Sequence, residues 1–260
     1  MPQAHFPLSI SAILLDLDGT LLHSAPELAQ AANRMLRDLG FTTLSQDRLM
    51  GYIGNGLQRL VKRALIGSLR HGAAGTSGAE ESCGRHSRTD RSRASCHAAD
   101  MYAEPDAALF QQALPIFEKH YSELLLHSKP YDGVIAGLNA MKDAGFRMGC
   151  ITNKAVRFTG PLLDSSGLAQ YFEIVLCGDS LPEKKPHPMP LQHAAGFFGV
   201  PTGQVLMIGD SQNDVTAARA AGCPIFCVPY GYNHGKPLDG LAVDAVVANL
   251  TEALQLIKRV

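Results

Sequence analysis

The feature that most constrains this 260-residue chain is an apolar run that ends in two carboxylates. Residues 10–15 read ISAILL, and Asp16, Asp18, Gly19 and Thr20 follow in the order DLDGT. A short apolar run before a turn is typical of a buried parallel strand, and open α/β sheets bind ligands beyond the carboxyl ends of such strands. Two neighbouring buried carboxylates need a cation or a shared proton. The alternative interpretation is an ordinary Asp-rich turn.

Composition and charge exclude several classes of protein. Hydrophobic residues make up 46% of the chain, charged residues 18%, and the net charge is −1, so nothing favours a nucleic-acid or anionic-membrane partner. No apolar stretch is long enough for a transmembrane helix, and residues 1–9 lack the form of a signal peptide. We therefore expect a cytoplasmic protein, a monomer or homodimer. Four of the six cysteines lie in or beside apolar strand-like runs, as reduced thiols do: Cys150, Cys177, Cys223 and Cys227.

Helical periodicity dominates the segment after the first strand. Helices are predicted from Ser24 to Gly40, from Ser45 to Met50, after the glycine-rich turn at 51–56, and over 105–126. Residues at about 70–100 lack apolar periodicity, which predicts a disordered insertion. We predict an inserted all-helical cap at 23–127 and a catalytic core made of 1–22 and 128–260.

The rest of the chain alternates between strands and helices. This rhythm predicts a Rossmann-like, doubly wound parallel sheet with helices on both faces, an α/β fold. The closing helix is predicted at 251–257. Strands are predicted at Met148–Thr152, Phe172–Cys177, Val205–Ile208, Ile225–Val228 and Ala245–Val247.

Polar residues follow three of these strands. Thr152 and Asn153 end one strand, where a hydroxyl and backbone N–H groups suit phosphate oxygens; a helix cap is the alternative. Lys185 lies in the Pro-rich segment KKPHP, and a surface lysine is the alternative there. Asp210 and Asp214 follow Val205–Ile208 in the order GDSQND, repeating the strand-then-carboxylate pattern at residue 16. Acids clustered in this way bind a metal or perform acid–base chemistry.

Together these motifs resemble those of the haloacid dehalogenase-like phosphohydrolase superfamily. The resemblance covers DLDGT at 16–20, Thr152, the lysine before Pro186 and GDSQND at 209–214. Within the superfamily, HSAPEL, GYIGNG, ITNK and CGDSLPEKKPHP are similar to stretches of the phosphoglycolate phosphatase family. The resemblance fails over roughly 70–100. His23 also departs from the acidic residue that is usual in relatives.

The resemblance implies an Mg²⁺-dependent phosphatase that acts on a small phosphorylated metabolite. Asp16 would be the nucleophile and form an aspartyl-phosphate, and Asp18 would act as general acid and base. Mg²⁺ would bind the Asp16 and Asp210 side chains and the Asp18 backbone carbonyl. Lys185 and Thr152 would bind phosphoryl oxygens, and Asp214 would orient Lys185 or a metal-bound water.

The cap is expected to control access to this site and to contribute to substrate binding. Gly54 and Asn55, in GYIGNG, are candidate substrate-binding residues beside Asn153; the alternative is that this loop is a simple helix–helix turn. Arg59, Lys62 and Arg63 are weighed as receptors for an anionic substrate, against a solvated helix face.

Four other functions remain open on this sequence. The first is a phosphatase or mutase for another sugar phosphate, such as N-acetylmuramic acid 6-phosphate or a hexose phosphate. A dehalogenase would have no use for Asp18 and Mg²⁺. A non-enzymatic phospho-acceptor signalling domain would be about half this length, and an inactive binding module would not need the full set of acids. The preferred substrate is 2-phosphoglycolate.

Overall fold

The structure, a computed structural model, describes residues 6–75, 103–233, 238 and 240–260. Most of the insertion predicted at about 70–100 lies outside these residues. Ten strands are described: β1 Leu8–Ile10, β2 Ala12–Leu15, β3 Leu22–His23, β4 Lys129–Pro130, β5 Arg147–Ile151, β6 Ile174–Leu176, β7 Val205–Gly209, β8 Ile225–Cys227, β9 Ala245–Val246 and β10 Ile257–Arg259. The α-helices described are α1 Ala25–Asp38, α2 Gln46–Met50, α3 Leu57–Gly75, α4 Ala107–Leu124, α5 Val134–Asp143, α6 Val156–Ser165, α7 Met189–Phe198, α8 Gln212–Ala221 and α9 Leu250–Gln255.

Six parallel strands form the central sheet in the order β6-β5-β2-β7-β8-β9. The chain first builds outward from β2 through β5 and β6, then returns to β7 on the other side of β2. The order therefore reverses between β2 and β7, the place where doubly wound sheets bind ligands. This confirms the predicted Rossmann-like α/β fold.

Alternate side chains of β2 pack into cores on opposite faces of the sheet. Ile13 and Leu15 lie in the larger core, which includes apolar residues of α5 and α9, whereas Ala12 and Leu14 lie in the core covered by α7 and α8. All four side chains are fully buried. A strand that is apolar on both faces needs this cover, which explains the uninterrupted run in the sequence.

The helices between β3 and β4 pack mainly on one another. Helix α1 contacts α2, α3 and α4, and α3 also contacts α4. Pro26 in the first turn and Glu27 beside it mark the beginning of α1, as the sequence predicts. Within the described residues, no helix combines the length and the hydropathy required to cross a bilayer.

Several boundaries differ from the sequence-based prediction, three of them with a structural cause or consequence. The run at 10–15 is two strands, because Ser11 donates from its backbone N to the Gln204 carbonyl and from Oγ to Gln204 Oε1, each at 2.8 Å. Strand β1 then pairs with β10 in a separate two-stranded sheet. The closing helix ends at Gln255, since Ile257 already belongs to β10. Helix α3 continues to Gly75, past the predicted start of the insertion.

Candidate active site

The two acidic segments meet at the point where the strand order reverses. Asp16 directly follows β2, and its backbone N donates to the Ile208 carbonyl of β7 at 3.0 Å. One carboxylate oxygen from each of Asp16, Asp210 and Asp214 lies within 4.8 Å of the others, and all three residues are buried. The structure thus brings together the acids that the sequence analysis assigned to one site.

Asp210 fits into a space left by two glycines. A Cβ at Gly19 or at Gly231 would overlap the Asp210 side chain, and Gly19 also has a left-handed φ of 90°. Asp210 Oδ2 accepts a hydrogen bond from the backbone N of Tyr232 at 2.7 Å, and Oδ1 accepts one from Thr20 Oγ1 at 3.3 Å. These contacts fix the carboxylate toward Asp16.

Lys185 is a buried cation between two of the acids. Its Nζ lies 2.8 Å from Asp16 Oδ1 and 2.6 Å from Asp214 Oδ1, and it donates to the Ile151 carbonyl at 2.6 Å. Asp214 Oδ2 accepts hydrogen bonds from the backbone N and Oγ of Ser211. Both carboxylate oxygens of Asp214 are therefore already engaged by the protein.

The site holds more negative charge than its lysine can balance. Burial raises the pKa of Asp16 well above its usual range; Lys185 opposes this, while Asp214 and Asp210 add to it. Burial and the nearby Asp214 raise the pKa of Asp210 to about 7. The neighbouring acids keep the pKa of Lys185 above its usual value, although burial alone would lower it. A hard divalent cation with oxygen ligands would suit this donor set.

The Asp18 side chain is held apart from the other acids. Its Oδ1 accepts a hydrogen bond from Ser24 Oγ at 2.5 Å, and its Oδ2 lies 2.9 Å from Lys154 Nζ. Lys154 also donates to Tyr121 Oη of α4 at 2.8 Å. The sequence analysis did not predict roles for Lys154 or Tyr121; the available signal was a lysine two residues beyond a strand end, in TNK.

A cleft opens beside these acids, between the sheet edge and the helices. Gly54 reaches it from the turn between α2 and α3, and the Gly54 carbonyl accepts hydrogen bonds from Asn153 Nδ2 and Asn213 Nδ2, both at 3.1 Å. Asn55 is absent from the wall: its Oδ1 accepts from Arg63 Nη2. The wall consists of Asp16, Asp18, Leu28, Ile53, Gly54, Gly56, Leu57, Leu60, Thr152, Asn153, Lys154, Lys185, Ser211, Asn213 and Asp214.

Thr152 and Asn153 do not cap the following helix. Helix α6 begins at Val156, whose backbone N donates to Asp179 Oδ1 at 2.9 Å from a different loop. Thr152 Oγ1 instead accepts from the backbone N of Lys154 at 3.1 Å. The Asn153 amide donates to the Gly54 and Lys185 carbonyls, so its Nδ2 group joins two loops of the cleft.

The three cations of α3 weighed as substrate receptors are engaged elsewhere. Arg59 Nη1 lies 2.7 Å from Glu104 Oε1, and Lys62 Nζ lies 2.5 Å from Glu104 Oε2. Arg63 Nη1 donates to the Tyr52 carbonyl at 2.9 Å and is buried. None of the three lies on the described wall of the cleft.

Comparison with known proteins shows the family of this chain. A family model described as haloacid dehalogenase-like hydrolase matches residues 10–222. The chain belongs to this family. It shares 49% identity over 255 residues with a phosphoglycolate phosphatase from Thiobacillus denitrificans, covering 98% of both chains. A phosphoglycolate phosphatase from Nitrosospira multiformis is 45% identical over 98% of this chain and 99% of its own length.

A solved structure extends the similarity to three dimensions. The crystal structure of a predicted phosphoglycolate phosphatase from Haemophilus somnus superposes with a TM-score of 0.80 at 31% identity. The alignment covers 94% of this chain and 96% of the other. As a haloacid dehalogenase-like hydrolase with such relatives, the chain is a phosphoric monoester hydrolase, which confirms the resemblance found in the sequence.

Proposed function

We propose that this hydrolase converts 2-phosphoglycolate to glycolate and inorganic phosphate, with Mg²⁺ and through an aspartyl-phosphate on Asp16. The observation that carries the proposal is the group of buried carboxylates from Asp16, Asp210 and Asp214, with Lys185 between two of them. The substrate is proposed from the names of relatives such as the phosphoglycolate phosphatases of Thiobacillus denitrificans and Nitrosospira multiformis, which match this chain over nearly its whole length.

In this proposal the side chains of Asp16 and Asp210 and the backbone carbonyl of Asp18 would hold Mg²⁺. Asp214 has the separate role of orienting Lys185, because its Oδ1 accepts from Lys185 Nζ at 2.6 Å while its Oδ2 accepts from the backbone N and Oγ of Ser211. The ion would neutralise charge on the phosphoryl oxygens, which phosphoryl transfer requires.

The protein groups then divide the reaction between them. An Asp16 carboxylate oxygen attacks phosphorus, the ester P–O bond breaks, and Asp18 gives a proton to the departing oxygen of glycolate. Asp18 next takes a proton from the water that attacks the aspartyl-phosphate, so phosphate leaves and Asp16 is restored. Lys185 and Thr152 bind the phosphoryl oxygens, where charge develops.

The helical segment forms the cap in this proposal. Residues 23–127 would cover the core formed by 1–22 and 128–260, with Gly54 and Asn153 completing the substrate site. The two amide hydrogen bonds that the Gly54 carbonyl accepts from Asn153 and Asn213 support this role, because they connect the cap turn to two core loops. A closed cap would keep bulk water away from the aspartyl-phosphate.

A cytoplasmic location belongs to the same proposal. The four described cysteines are buried free thiols. Burial raises the pKa of the Cys223 thiol to about 12, so this group stays protonated and unreactive. Buried, reduced cysteines of this kind suit a reducing compartment.

The test is an assay of phosphate release from a panel of phosphate monoesters, with and without Mg²⁺, on the wild-type protein and on Asp16→Asn. We expect the highest kcat/KM for 2-phosphoglycolate, no turnover in the presence of a chelator, and no turnover or phosphoenzyme in the variant. Turnover by Asp16→Asn at the wild-type rate would contradict the nucleophile assignment. Preference for a hexose phosphate, or isomerised product without phosphate release, would favour the alternative substrates or a mutase.

A further inference from the structure

Lys154 is a buried lysine on the cleft wall to which the proposed reaction assigns no role. It follows Thr152 and Asn153 at the carboxyl end of β5, and its side chain is only 1% exposed. The neighbouring Asp18 carboxylate and Tyr121 hydroxyl keep the pKa of Lys154 above its usual value, against the effect of burial. A charged ammonium is costly to bury and is retained only where it has partners.

The ammonium group of Lys154 has a hydrogen-bonding capacity that its described partners do not fill. An ammonium has three N–H donors. Two of them are used by Asp18 Oδ2 at 2.9 Å and by Tyr121 Oη at 2.8 Å. Among the described residues, no acceptor is recorded for the third donor, and the residue lies on the cleft wall.

The position of Lys154 differs from that of the other lysine in the cleft. Lys185 lies against Asp16 and Asp214, on the side where the phosphoryl group would be bound. Lys154 lies against Asp18, the group proposed to protonate the departing oxygen. A substituent of the leaving group that is bonded close to that oxygen would therefore lie near Lys154 Nζ.

The remaining wall offers no other cation to this part of a substrate. The helical side of the cleft is apolar, with Leu28, Ile53, Leu57 and Leu60, and the only Lys or Arg residues on the described wall are Lys154 and Lys185. The basic residues of α3 are paired with Glu104 or donate within the cap, as described above.

We propose that Lys154 is a specificity-determining residue that binds an anionic group, a carboxylate, on the leaving group of the substrate. In 2-phosphoglycolate the carboxylate carbon is bonded to the CH₂ that carries the ester oxygen, so a contact to Asp18 from that oxygen brings the carboxylate next to Lys154. The Tyr121 hydroxyl positions the Lys154 ammonium between Asp18 and the substrate carboxylate. This inference rests on the proposed function and names the residue that selects small acidic phosphate monoesters.

The test compares 2-phosphoglycolate with ethyl phosphate, which has two carbons and the same ester but no carboxylate. We expect wild-type kcat/KM to be higher for 2-phosphoglycolate. Lys154→Met should lower this preference about 10-fold to 100-fold, as expected for the loss of one charge-assisted hydrogen bond. Loss of the ion pair to Asp18 affects both substrates alike, so the ratio of the two kcat/KM values isolates the carboxylate contact.

Two further variants complete the design. Lys62→Met removes a cap cation that faces Glu104, and it should leave the preference unchanged. Tyr121→Phe keeps the charge of Lys154 but removes one of its partners, and it should reduce the preference about threefold. If Lys154→Met has a thermal unfolding temperature too low for kinetics, the Tyr121→Phe result decides.

The outcomes distinguish this inference from the proposed function. A wild-type protein that does not hydrolyse 2-phosphoglycolate would overturn the proposed function and, with it, the inference. A wild-type protein that prefers 2-phosphoglycolate, with the same preference in Lys154→Met and in Tyr121→Phe, would overturn the inference alone. Loss of preference in Lys62→Met, with none in Lys154→Met, would also overturn it and assign the carboxylate to the cap.

Discussion

Adjacent lysines in this chain have very different surroundings. Lys185 is 2% exposed and lies between Asp16 and Asp214, whereas Lys184 is exposed and makes a 3.4 Å contact with the Asn55 carbonyl. Among the described residues, Lys185 is the one cation that pairs with these clustered acids, so in the proposed reaction its loss would remove the charge that balances both Asp16 and the phosphoryl oxygens. Lys184 is at the rim and has no such role.

The pair provides a matched comparison. Lys185→Met should lower kcat by about 100-fold or more, because one buried charged donor to the transferring phosphoryl group is lost. Lys184→Met should keep kcat close to the wild-type value. Both are checked by steady-state assay of phosphate release, with circular dichroism to verify folding. An equal loss of kcat in the two variants would mean that the overall positive charge near the cleft matters for the rate, and that the position of Lys185 between the acids does not.

Single residues were predictable from sequence where a motif fixes their position along a strand end. Asp16, Asp18 and Asp210 come directly after apolar runs, so the parallel sheet alone brings them to one edge. Lys154 was not predicted, because its partner Tyr121 is 33 positions away on a helix and only the folded structure joins them. The contact between Lys185 and Asp214 follows from the family resemblance and not from the residue pattern, in which Lys185 is simply the second lysine of a pair.

At the scale of elements, the contact between α5 and α9 depends on a glycine. A Cβ at Gly137, in the middle of α5, would overlap Leu250 at the beginning of α9. Gly196 also lies within a helix, in the last turn of α7, yet nothing lies within 4 Å of the place where its Cβ would be. Comparing alanine substitutions at the two glycines therefore distinguishes the effect of close packing on stability from the effect of helix propensity.

Alanine at these positions should have opposite effects on stability. Gly137→Ala should destabilise the protein by about 1–3 kcal/mol, since the added methyl group overpacks the α5–α9 contact. Gly196→Ala should stabilise it by about 0.5–1 kcal/mol, because alanine loses less backbone entropy in a helix. Urea unfolding at a fixed Mg²⁺ concentration measures both changes. Destabilisation by Gly196→Ala would show that α7 is more tightly covered than the structure indicates.

Helices and strands were predicted correctly where they depend on local apolar periodicity. The predictions were wrong where pairing with a residue far along the chain sets the boundary of the element. The helices α1 and α4 and the strands β5 and β7 follow from apolar spacing and caps. The division of residues 8–15 into two strands does not, because it depends on Gln204 and on pairing with β10, nearly 250 residues away. The same distant pairing explains why Ile257 extends as a strand instead of ending the last helix.

At the scale of the whole molecule, strand order brings the acids together. A sequence that alternates strands and helices predicts a parallel sheet, but it does not say which strands are neighbours. Here β7 returns to lie beside β2, so Leu15 pairs with Ile208 and the residues that follow each strand share one pocket. The fold therefore concentrates negative charge where the strand order reverses, between β2 and β7.

Without metal, the charge cluster should make stability fall as pH rises. The pKa of Asp210 is raised from an ordinary value of 3.8 to about 7, and that of Asp16 is raised as well. The folded protein thus holds protons that the unfolded chain releases above about pH 4, so folding is favoured below that pH and progressively less up to about pH 7. Bound Mg²⁺ stabilises the ionised carboxylates and should remove this loss.

Thermal unfolding in a chelator and in excess Mg²⁺, at pH 5, 6.5 and 8, measures the effect. From pH 5 to pH 8 we expect the unfolding temperature in the chelator to fall further below the unfolding temperature in Mg²⁺. The increase in unfolding temperature that Mg²⁺ causes should therefore be largest at pH 8. Asp210→Asn removes one titrating group and one proposed ligand, and it should reduce both the pH dependence in the chelator and the gain from Mg²⁺. A gain from the ion that is equal at all three pH values would contradict a site built from these carboxylates, because a cation bound elsewhere would not compete with their protons.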